Sequence, residues 1–320
     1  MKLVIRLVGA VFALLVVLVA AAAILYGRSD IDPEALKSKY TNLESEFVTL
    51  SNGLVVHVRD QGPEDGETIV LVHGSTSSLH TWEPWIGFLK DKYRIVSMTL
   101  AGHGLTGPHP DHDYSMKGQA RLVHEVLQQR SIERYTIAGS SMGGFIAWVH
   151  TILYPDSVDR LVLIGASGFP HEGAPSLTFQ LMRMPVTRDL LRYITPRSSV
   201  DRATKLAYNN NPVVDDALVD RYYELLLRKG NRHATAIRSA KERDYSIAER
   251  MDEIGVPTLL MWGKHDALVP VEDAEKFAQA IPQAQTIIYD DLGHIPFEEA
   301  PERTVRDFEA FLRGELTSHQ

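Results

Sequence analysis

The chain has 320 residues, of which 44% are hydrophobic and 23% are charged, and its formal charge is −8. This length fits about two domains or one large α/β domain. The composition is ordinary for a globular protein, which excludes a wholly disordered chain. A negative net charge without a long basic run argues against nucleic acid as the main partner. Because the chain contains no cysteine, disulfides, thiolate catalysis and cysteine-ligated metals are also excluded.

An apolar leader predicts that the chain is attached to a membrane. Lys2 and Arg6 precede an uncharged stretch, residues 7–26, whose length as a helix, about 30 Å, matches the hydrocarbon core of a bilayer. We expect residues 1–28 to form an uncleaved anchor. Because the cations precede the apolar stretch, the rest of the chain would lie on the extracytoplasmic side. Cleavage of the leader at its alanine run, followed by secretion, is the alternative.

Strand and helix signals alternate after residues 29–45, a polar segment that we expect to be a linker with one amphipathic turn. An Asn-Gly pair between the apolar runs 46–50 and 53–60 predicts an antiparallel hairpin. Short continuous apolar runs predict strands that are covered on both faces, and stretches with helical apolar spacing separate them. This order predicts the α/β class, with a mostly parallel sheet after an N-terminal hairpin. The predicted strands are 68–72, 93–98, 135–138, 160–164, 257–262 and 286–289, and the predicted helices are 115–129, 143–154, 271–281 and 301–312.

One interval breaks this alternation. Residues 169–252 contain helical pieces and scattered prolines but no strand signal, and a structureless loop of that length would be unusual in a compact domain. We therefore predict a helical cap over these residues, inserted into a core formed by residues 46–168 and 253–320. Apolar residues of the cap are candidates for lining a substrate pocket, although packing among the cap helices is the simpler interpretation. These candidates include Phe179, Leu181 and Met182.

The sequence Gly-Ser-Ser-Met-Gly at residues 139–143 lies between a predicted strand and a predicted helix. In this context G-x-S-x-G forms a sharp turn that raises the serine above the edge of the sheet, beside the N–H groups that begin the helix. A turn rich in glycine and serine, without a reactive hydroxyl, is the plain alternative. Ser141 is therefore the candidate nucleophile.

A serine hydroxyl needs a base, itself oriented by an acid, to act as a nucleophile near neutral pH. His294 and Asp266 each follow a predicted strand, so both should lie at the carboxyl edge of the sheet, where open sheets build their sites. Asp273 is a weaker candidate for the acid. The predicted oxyanion donors are two backbone N–H groups, that of Met142 and that of Ser75, which follows the His-Gly turn after another strand.

These motifs together resemble the α/β-hydrolase superfamily over residues 46–312. The resemblance implies an α/β-hydrolase fold with a helical cap and a triad of Ser141, His294 and Asp266. The leader, the Leu-Thr-Gly-Pro segment and the Ser-Met-Gly-Gly elbow are also similar to membrane-associated bacterial lipases and esterases and to anchored monoacylglycerol lipases. The motifs that carry the resemblance are His73-Gly74, Gly102-His103-Gly104-Leu105-Thr106, the elbow 139–143, Trp262-Gly263-Lys264-His265-Asp266 and Gly293-His294.

Two residues refine the resemblance. Serine at position 141 argues against the dehalogenase and epoxide-hydrolase branches, whose nucleophile is an aspartate. Thr99 departs from the family pattern, because such proteins usually carry an aspartate there, and this leaves the geometry of the loop after the fourth strand open.

The predicted function is hydrolysis of carboxylic esters through an acyl-enzyme on Ser141, with a small-molecule ester or lipid as substrate and without a cofactor. A carbon–carbon bond hydrolase with the same three residues is one alternative, and a non-catalytic binding protein of the same fold is another. A polar loop crowds several possible metal ligands together, but its spacing fixes no geometry, so we predict no metal. These residues are His103, His109, Asp111, His112 and Asp113.

Overall fold

The computed structural model describes residues 24–170, 193–241 and 243–316, together with residues 6, 7, 9, 10, 13, 17, 21 and 184. Within this part of the chain no helix combines the length and the apolar character needed to cross a bilayer. Most of the predicted anchor falls outside the described residues and stays a prediction. The cap candidates Phe179, Leu181 and Met182 also lie outside them.

The strands of the described residues form one mostly parallel sheet of eight. They are β1 (Ser45–Thr49), β2 (Val55–Gln61), β3 (Thr68–Val72), β4 (Arg94–Met98), β5 (Tyr135–Ser140), β6 (Val158–Ile164), β7 (Thr258–Gly263) and β8 (Ala284–Tyr289). Their spatial order is β1-β2-β4-β3-β5-β6-β7-β8. β2 pairs antiparallel with both β1 and β4, and the remaining neighbours are parallel. The predicted hairpin and parallel sheet are confirmed, and the predicted strands differ from the observed ones by at most two residues at an end.

Helices cover both faces of the sheet, which explains the continuous apolar runs of the strands. On β3, Val70 and Val72 belong to one hydrophobic cluster, whereas Ile69 and Leu71 belong to the other. Successive side chains of a strand point to opposite faces, so a strand covered on both faces must be apolar throughout. The helices are α1 (Pro33–Tyr40), α2 (Glu83–Leu89), α3 (Met116–Gln129), α4 (Met142–Leu153), α5 (Arg197–Ala207), α6 (Asp216–Leu227), α7 (Asn231–Ala240), α8 (Glu272–Ala280), α9 (Pro296–Glu299) and α10 (Pro301–Leu312).

The described residues between β6 and β7 form helices and no strand, as the sequence pattern indicates. They contain α5, α6, α7 and a 3₁₀ helix, Ser246–Glu253. The exact domain boundaries stay a prediction. Ahead of β1, the segment expected to be a linker contains α1, a helix of eight residues whose first turn is capped by the side chain of Asp32. Its two turns exceed the single amphipathic turn that the sequence indicates.

The turn between β5 and α4 is packed too tightly for any side chain at its glycines. A Cβ on Gly143 would collide with the carbonyl oxygens of Val72 and His73, and a Cβ on Gly139 would collide with the backbone of Gly143. The end of β3 therefore lies directly against the first turn of α4. This contact places the loop after β3 beside Ser141.

We expect Gly143→Ala to lower the free energy of unfolding by about 1–3 kcal/mol, because backbone rather than flexible side chain must move to make room. Gly87→Ala is the matched control, since Gly87 lies in α2 with open space where a Cβ would be. Alanine is the better helix former there and should stabilise the protein by up to about 1 kcal/mol. Urea denaturation measures both. Equal stability of Gly143→Ala and the wild type would contradict the packing described.

Candidate active site

Ser141 lies on a strained turn at the carboxyl end of β5. Its backbone has φ 55° and ψ −119°, in a region that residues with a side chain seldom occupy. Hydrogen bonds hold it there: its N–H donates to the carbonyl of Ile164 at 3.0 Å, and its carbonyl accepts from the N–H groups of Phe145 and Ser167. The turn is therefore fixed by β6 as well as by α4.

His294 and Asp266 meet at the same edge of the sheet, as the sequence analysis predicts. The distance from His294 Nδ1 to Asp266 Oδ2 is 2.7 Å, and both side chains are almost fully buried. This contact leaves Nε2 of the imidazole for other partners. Ser141 and His294 line one cavity, although none of the hydrogen bonds among the described residues joins them. Catalytic hydrogen bonds are often long in the absence of substrate.

Backbone N–H groups as well as His294 fix the Asp266 carboxylate. Its Oδ1 accepts hydrogen bonds from the N–H groups of Leu268 and Val269, both at 2.8 Å. Gly165, in the left-handed region at φ 51°, packs against the pair, because a Cβ there would lie 3.0 Å from Asp266 Oδ2. The rival candidate Asp273 pairs with Lys276 on α8 instead. The acid that contacts His294 is therefore Asp266.

The two predicted oxyanion donors lie on either side of Ser141. Met142 begins α4, and Ser75 follows the turn after β3. Neither backbone N–H has a hydrogen-bond partner among the described residues. The approach of the two loops needs Gly74, since a Cβ there would lie 3.1 Å from the Cβ of Ser141. Unpaired N–H groups beside a serine hydroxyl are suited to bind a developing negative charge.

His73, in the His-Gly turn, is a structural residue. Burial lowers its pKa to about 3, so the ring is neutral. Its Nδ1 lies 2.7 Å from the carbonyl oxygen of Gly74, and its Nε2 accepts a hydrogen bond from the Leu100 N–H at 3.0 Å. The ring therefore ties the loop after β3 to the loop after β4.

The loop after β4 keeps its shape through hydroxyl groups rather than through the usual aspartate. Thr99 Oγ1 accepts from the Leu79 N–H at 3.3 Å, and the Thr99 carbonyl accepts from Thr106 Oγ1 at 2.7 Å. Thr106 Oγ1 in turn accepts from the His57 N–H at 3.0 Å. Both threonines are buried. The departure at Thr99 therefore leaves an ordered loop.

The histidines and acids of the following loop do not converge. His103 is buried with its Nε2 2.8 Å from Arg238 Nη1, whereas His109 Nε2 lies 2.9 Å from Asn52 Nδ2. Burial lowers the pKa of His103 far below its usual value, so this ring is neutral and accepts from the guanidinium. Across the described ranges, no group of three or more His, Asp or Glu residues is arranged to hold a metal ion.

A cavity of about 570 Å³ opens beside Ser141 and His294. This volume lies within the usual range for small-molecule sites. The loop after β3 supplies hydroxyl groups to one part of its wall, and the helices between β6 and β7 supply mostly apolar side chains. The apolar lining includes Ile194, Val200, Leu206, Leu226, Leu268 and Phe297.

The helices between β6 and β7 also hold the loop that carries His294. The His294 N–H donates to the carbonyl oxygen of Ala207, the last residue of α5, at 2.8 Å. Arg221 on α6 donates to Glu298 at 3.1 Å, and this carboxylate also accepts from the Thr81 hydroxyl. Breaking a buried ion pair leaves an uncompensated charge, so these contacts fix the helices against the core.

Glu299 is a positioning residue that sequence reasoning missed. Its Oε2 accepts from the N–H of Gly293 at 2.9 Å and its Oε1 accepts from the N–H of Ile295 at 3.1 Å. One carboxylate therefore fixes the backbone on both sides of His294. Burial raises the pKa of Glu299, and the two N–H groups oppose that shift. Its position five residues after a candidate catalytic histidine was the available signal.

Comparison with known proteins identifies the fold. Residues 67–301 match the family described as the alpha/beta hydrolase fold. The chain belongs to the α/β-hydrolase fold family. The match covers the sheet from the end of the hairpin to the helix after β8. The predicted superfamily and fold class are therefore confirmed.

Similar proteins of known name are hydrolases. Lipase 3 of Moraxella sp. (strain TA144) is 27% identical over 297 residues, which cover 86% of this chain and 86% of that lipase. A monoacylglycerol lipase of Bos taurus is 26% identical over 265 residues, 78% of this chain and 76% of the relative. The 2-hydroxy-6-oxo-6-(2'-aminophenyl)hexa-2,4-dienoic acid hydrolase of Metapseudomonas resinovorans is 27% identical over 262 residues, 79% of this chain and 87% of the relative. These similarities support a hydrolase, and ester hydrolysis in general, for this α/β hydrolase.

Replacing Glu299 with glutamine leaves one acceptor oxygen for two N–H groups and places an NH₂ group against one of them. We expect kcat to fall about 10- to 100-fold because His294 shifts within the site. KM should stay near the wild-type value, since Glu299 does not line the cavity.

Glu302→Gln is the matched control, because Glu302 is exposed in the first turn of α10 and the charge change is the same. It should turn over like the wild type. A Glu299→Gln enzyme whose kcat lies within about twofold of wild type would contradict the positioning role.

Proposed function

We propose that this α/β hydrolase cleaves carboxylic esters through an acyl-enzyme on Ser141. The proposal rests on one observation: the strained serine and His294 line the same, mainly apolar cavity, and Asp266 contacts His294. Activation of a serine requires a base within reach and an acid that orients the base, and these three residues have the chemistry for those roles.

The reaction begins when Ser141 Oγ attacks the ester carbonyl carbon and transfers its proton to Nε2 of His294. Asp266 accepts a hydrogen bond from Nδ1–H and stabilises the imidazolium. The N–H groups of Ser75 and Met142 bind the oxyanion of the tetrahedral intermediate. The C–O bond of the ester then breaks, and the imidazolium gives its proton to the departing alcohol.

Water then hydrolyses the acyl-enzyme, and His294 again transfers the protons. His294 removes a proton from a water molecule, which attacks the acyl-enzyme on Ser141. The second tetrahedral intermediate collapses with release of the carboxylic acid, and Ser141 recovers its proton from the imidazolium. No step in this scheme requires a cofactor.

The cavity favours an ester with an apolar acyl chain. Its volume of about 570 Å³ and its aliphatic lining suit hydrocarbon, while the hydroxyls of Ser75, Thr76 and Ser77 suit a polar alcohol portion. A monoacylglycerol combines these two parts, and one of the similar proteins is a monoacylglycerol lipase. With residues 1–28 as an anchor, the catalytic body would lie on the extracytoplasmic side of a membrane.

The dienoic acid hydrolase among the relatives favours a second candidate, carbon–carbon bond cleavage by the same three residues. A substrate of that kind carries a carboxylate and calls for a cation in the cavity. Arg232 is the cation among the described lining residues, and it is already paired with Asp30. This pairing favours the neutral ester over an anionic substrate.

The first test is hydrolysis of p-nitrophenyl esters from acetate to palmitate by the full chain. We expect a rate that depends on Ser141 and has a maximum at one acyl length, because the cavity has a finite apolar volume. Ser141→Ala should lose at least about a thousandfold in kcat, since no other group replaces the nucleophile.

Ser140→Ala is the control, since this neighbouring side chain also lines the cavity but lies outside the proposed triad. Turnover of a vinylogous diketone in preference to every ester would support the carbon–carbon alternative. A folded protein that turns over neither the esters nor the diketone would support a non-catalytic binding protein instead.

A further inference from the structure

The residues that follow the apolar leader contact the wall of the cavity. Gly27 forms an antiparallel β-bridge with Ile194, which lines the cavity, and the N–H of Arg28 donates to the carbonyl of Tyr193 at 3.1 Å. Three residues after Arg28, the N–H of Ile31 donates to the carbonyl of Leu227 at 2.8 Å. The segment after the leader is therefore bound to the cap rather than free in solvent.

Arg232 binds this segment and the cavity wall at once. It is buried and lines the cavity. Its guanidinium donates to the Asp30 carboxylate at 2.6 Å, to the Arg28 carbonyl at 2.7 Å and to Thr195 Oγ1 at 3.3 Å. Charge-assisted hydrogen bonds of this kind are among the stronger polar contacts in proteins. We call this set of contacts the leader clasp.

Exposed apolar side chains gather at the same place. Ile24, Leu25 and Tyr26, the last residues of the leader, are exposed. Leu206 and Leu268 line the cavity and are 51% and 47% exposed. An apolar rim around an apolar cavity, next to the end of an apolar leader, is typical of a surface that contacts lipid.

Charge on α5 agrees with this interpretation. Arg202 and Lys205 lie on the exposed side of the helix that carries Leu206, and Lys205 is paired with Asp201 at 2.9 Å. Cations beside exposed apolar residues suit the boundary between acyl chains and anionic headgroups.

We propose that the leader clasp holds the mouth of the cavity against the bilayer in which the leader is anchored, so that acyl substrates enter from the lipid. The proposal rests on the proposed function, an anchored ester hydrolase. The exposed apolar side chains around the cavity would then contact the lipid surface itself. The physical gain is that an acyl chain passes from bilayer to cavity without exposing its methylene groups to water.

Fluorescence quenching tests the orientation without any need for catalysis. Because the chain has no cysteine, Leu206→Cys provides a single labelling site at the rim. Phe88→Cys is the matched control: Phe88 is 48% exposed, near the end of α2, on the side of the molecule where β4 begins. Each labelled full chain is reconstituted into vesicles of phosphatidylcholine and phosphatidylglycerol that contain doxyl-labelled lipid.

We expect strong quenching of the label at position 206 and little quenching of the label at position 88. Equal quenching, or stronger quenching at position 88, would overturn the proposal. The quenching measurement does not depend on esterase activity. A negative quenching result can therefore be told apart from a failure of the proposed function.

The clasp itself is tested with Asp30→Asn, assayed on a long-chain monoacylglycerol in the vesicles and on soluble p-nitrophenyl butyrate. We expect the ratio of vesicle to soluble activity to fall about tenfold, because the mouth is no longer held at the bilayer. Glu44→Gln, an exposed acid before β1, should leave the ratio unchanged. An unchanged ratio in Asp30→Asn would overturn the role of the clasp, whereas absence of both activities in the wild type would refute the proposed function.

Discussion

The left-handed backbone of Ser141 is the constraint on which the arrangement of this site depends. A residue with a side chain seldom occupies φ 55° with ψ −119°, and contacts around it must hold it there. Here the surroundings are the end of β3, packed against the glycine at position 143, and the strand β6, which binds the Ser141 N–H. The same packing brings the loop after β3 beside the hydroxyl, and the Ser75 N–H in that loop has no hydrogen-bond partner among the described residues. The positions of the proposed nucleophile and oxyanion donors are thus consequences of one close contact between the end of a strand and the start of a helix.

The loops that carry His294 and Asp266, the proposed base and acid, are fixed by separate contacts. Asp266 is fixed by backbone N–H groups of its own turn, whereas His294 is fixed by Glu299 and by a carbonyl of α5. The histidine therefore depends on the cap as well as on the core. Residues of both line the cavity, so in the proposed mechanism the shape of the substrate site is coupled to the position of His294. The proposed clasp links the leader to the cavity in a similar way, because Arg232 lines the cavity and contacts the segment that follows the leader.

Local signals account for what the sequence predicts well. Apolar runs such as that of β3 indicate burial on both faces, and the Asn-Gly pair indicates a hairpin, so the hairpin and the mostly parallel sheet followed from the alternation of strands and helices. The order of the strands in the sheet was not predicted. Asp266 and His294 were predictable because each follows a strand that ends at the same edge. Arg232 and Gly165 were not, because their contacts join segments far apart in the chain. Glu299 binds N–H groups only four to six residues away, and it was missed because no motif shows where its side chain points. The helix α1 was underestimated for a related reason, since it docks against the cap and its own apolar pattern is weak.

The most direct test of the central claim is covalent labelling with a fluorophosphonate, followed by mapping of the modified peptide by tandem mass spectrometry. We expect a single adduct on Ser141 in the wild type, and a much slower reaction in His294→Ala at unchanged fold, because the strained hydroxyl still needs its base. An adduct on Ser140 or on another serine, or no adduct in a folded protein, would contradict the claim that the turn after β5 holds the nucleophile.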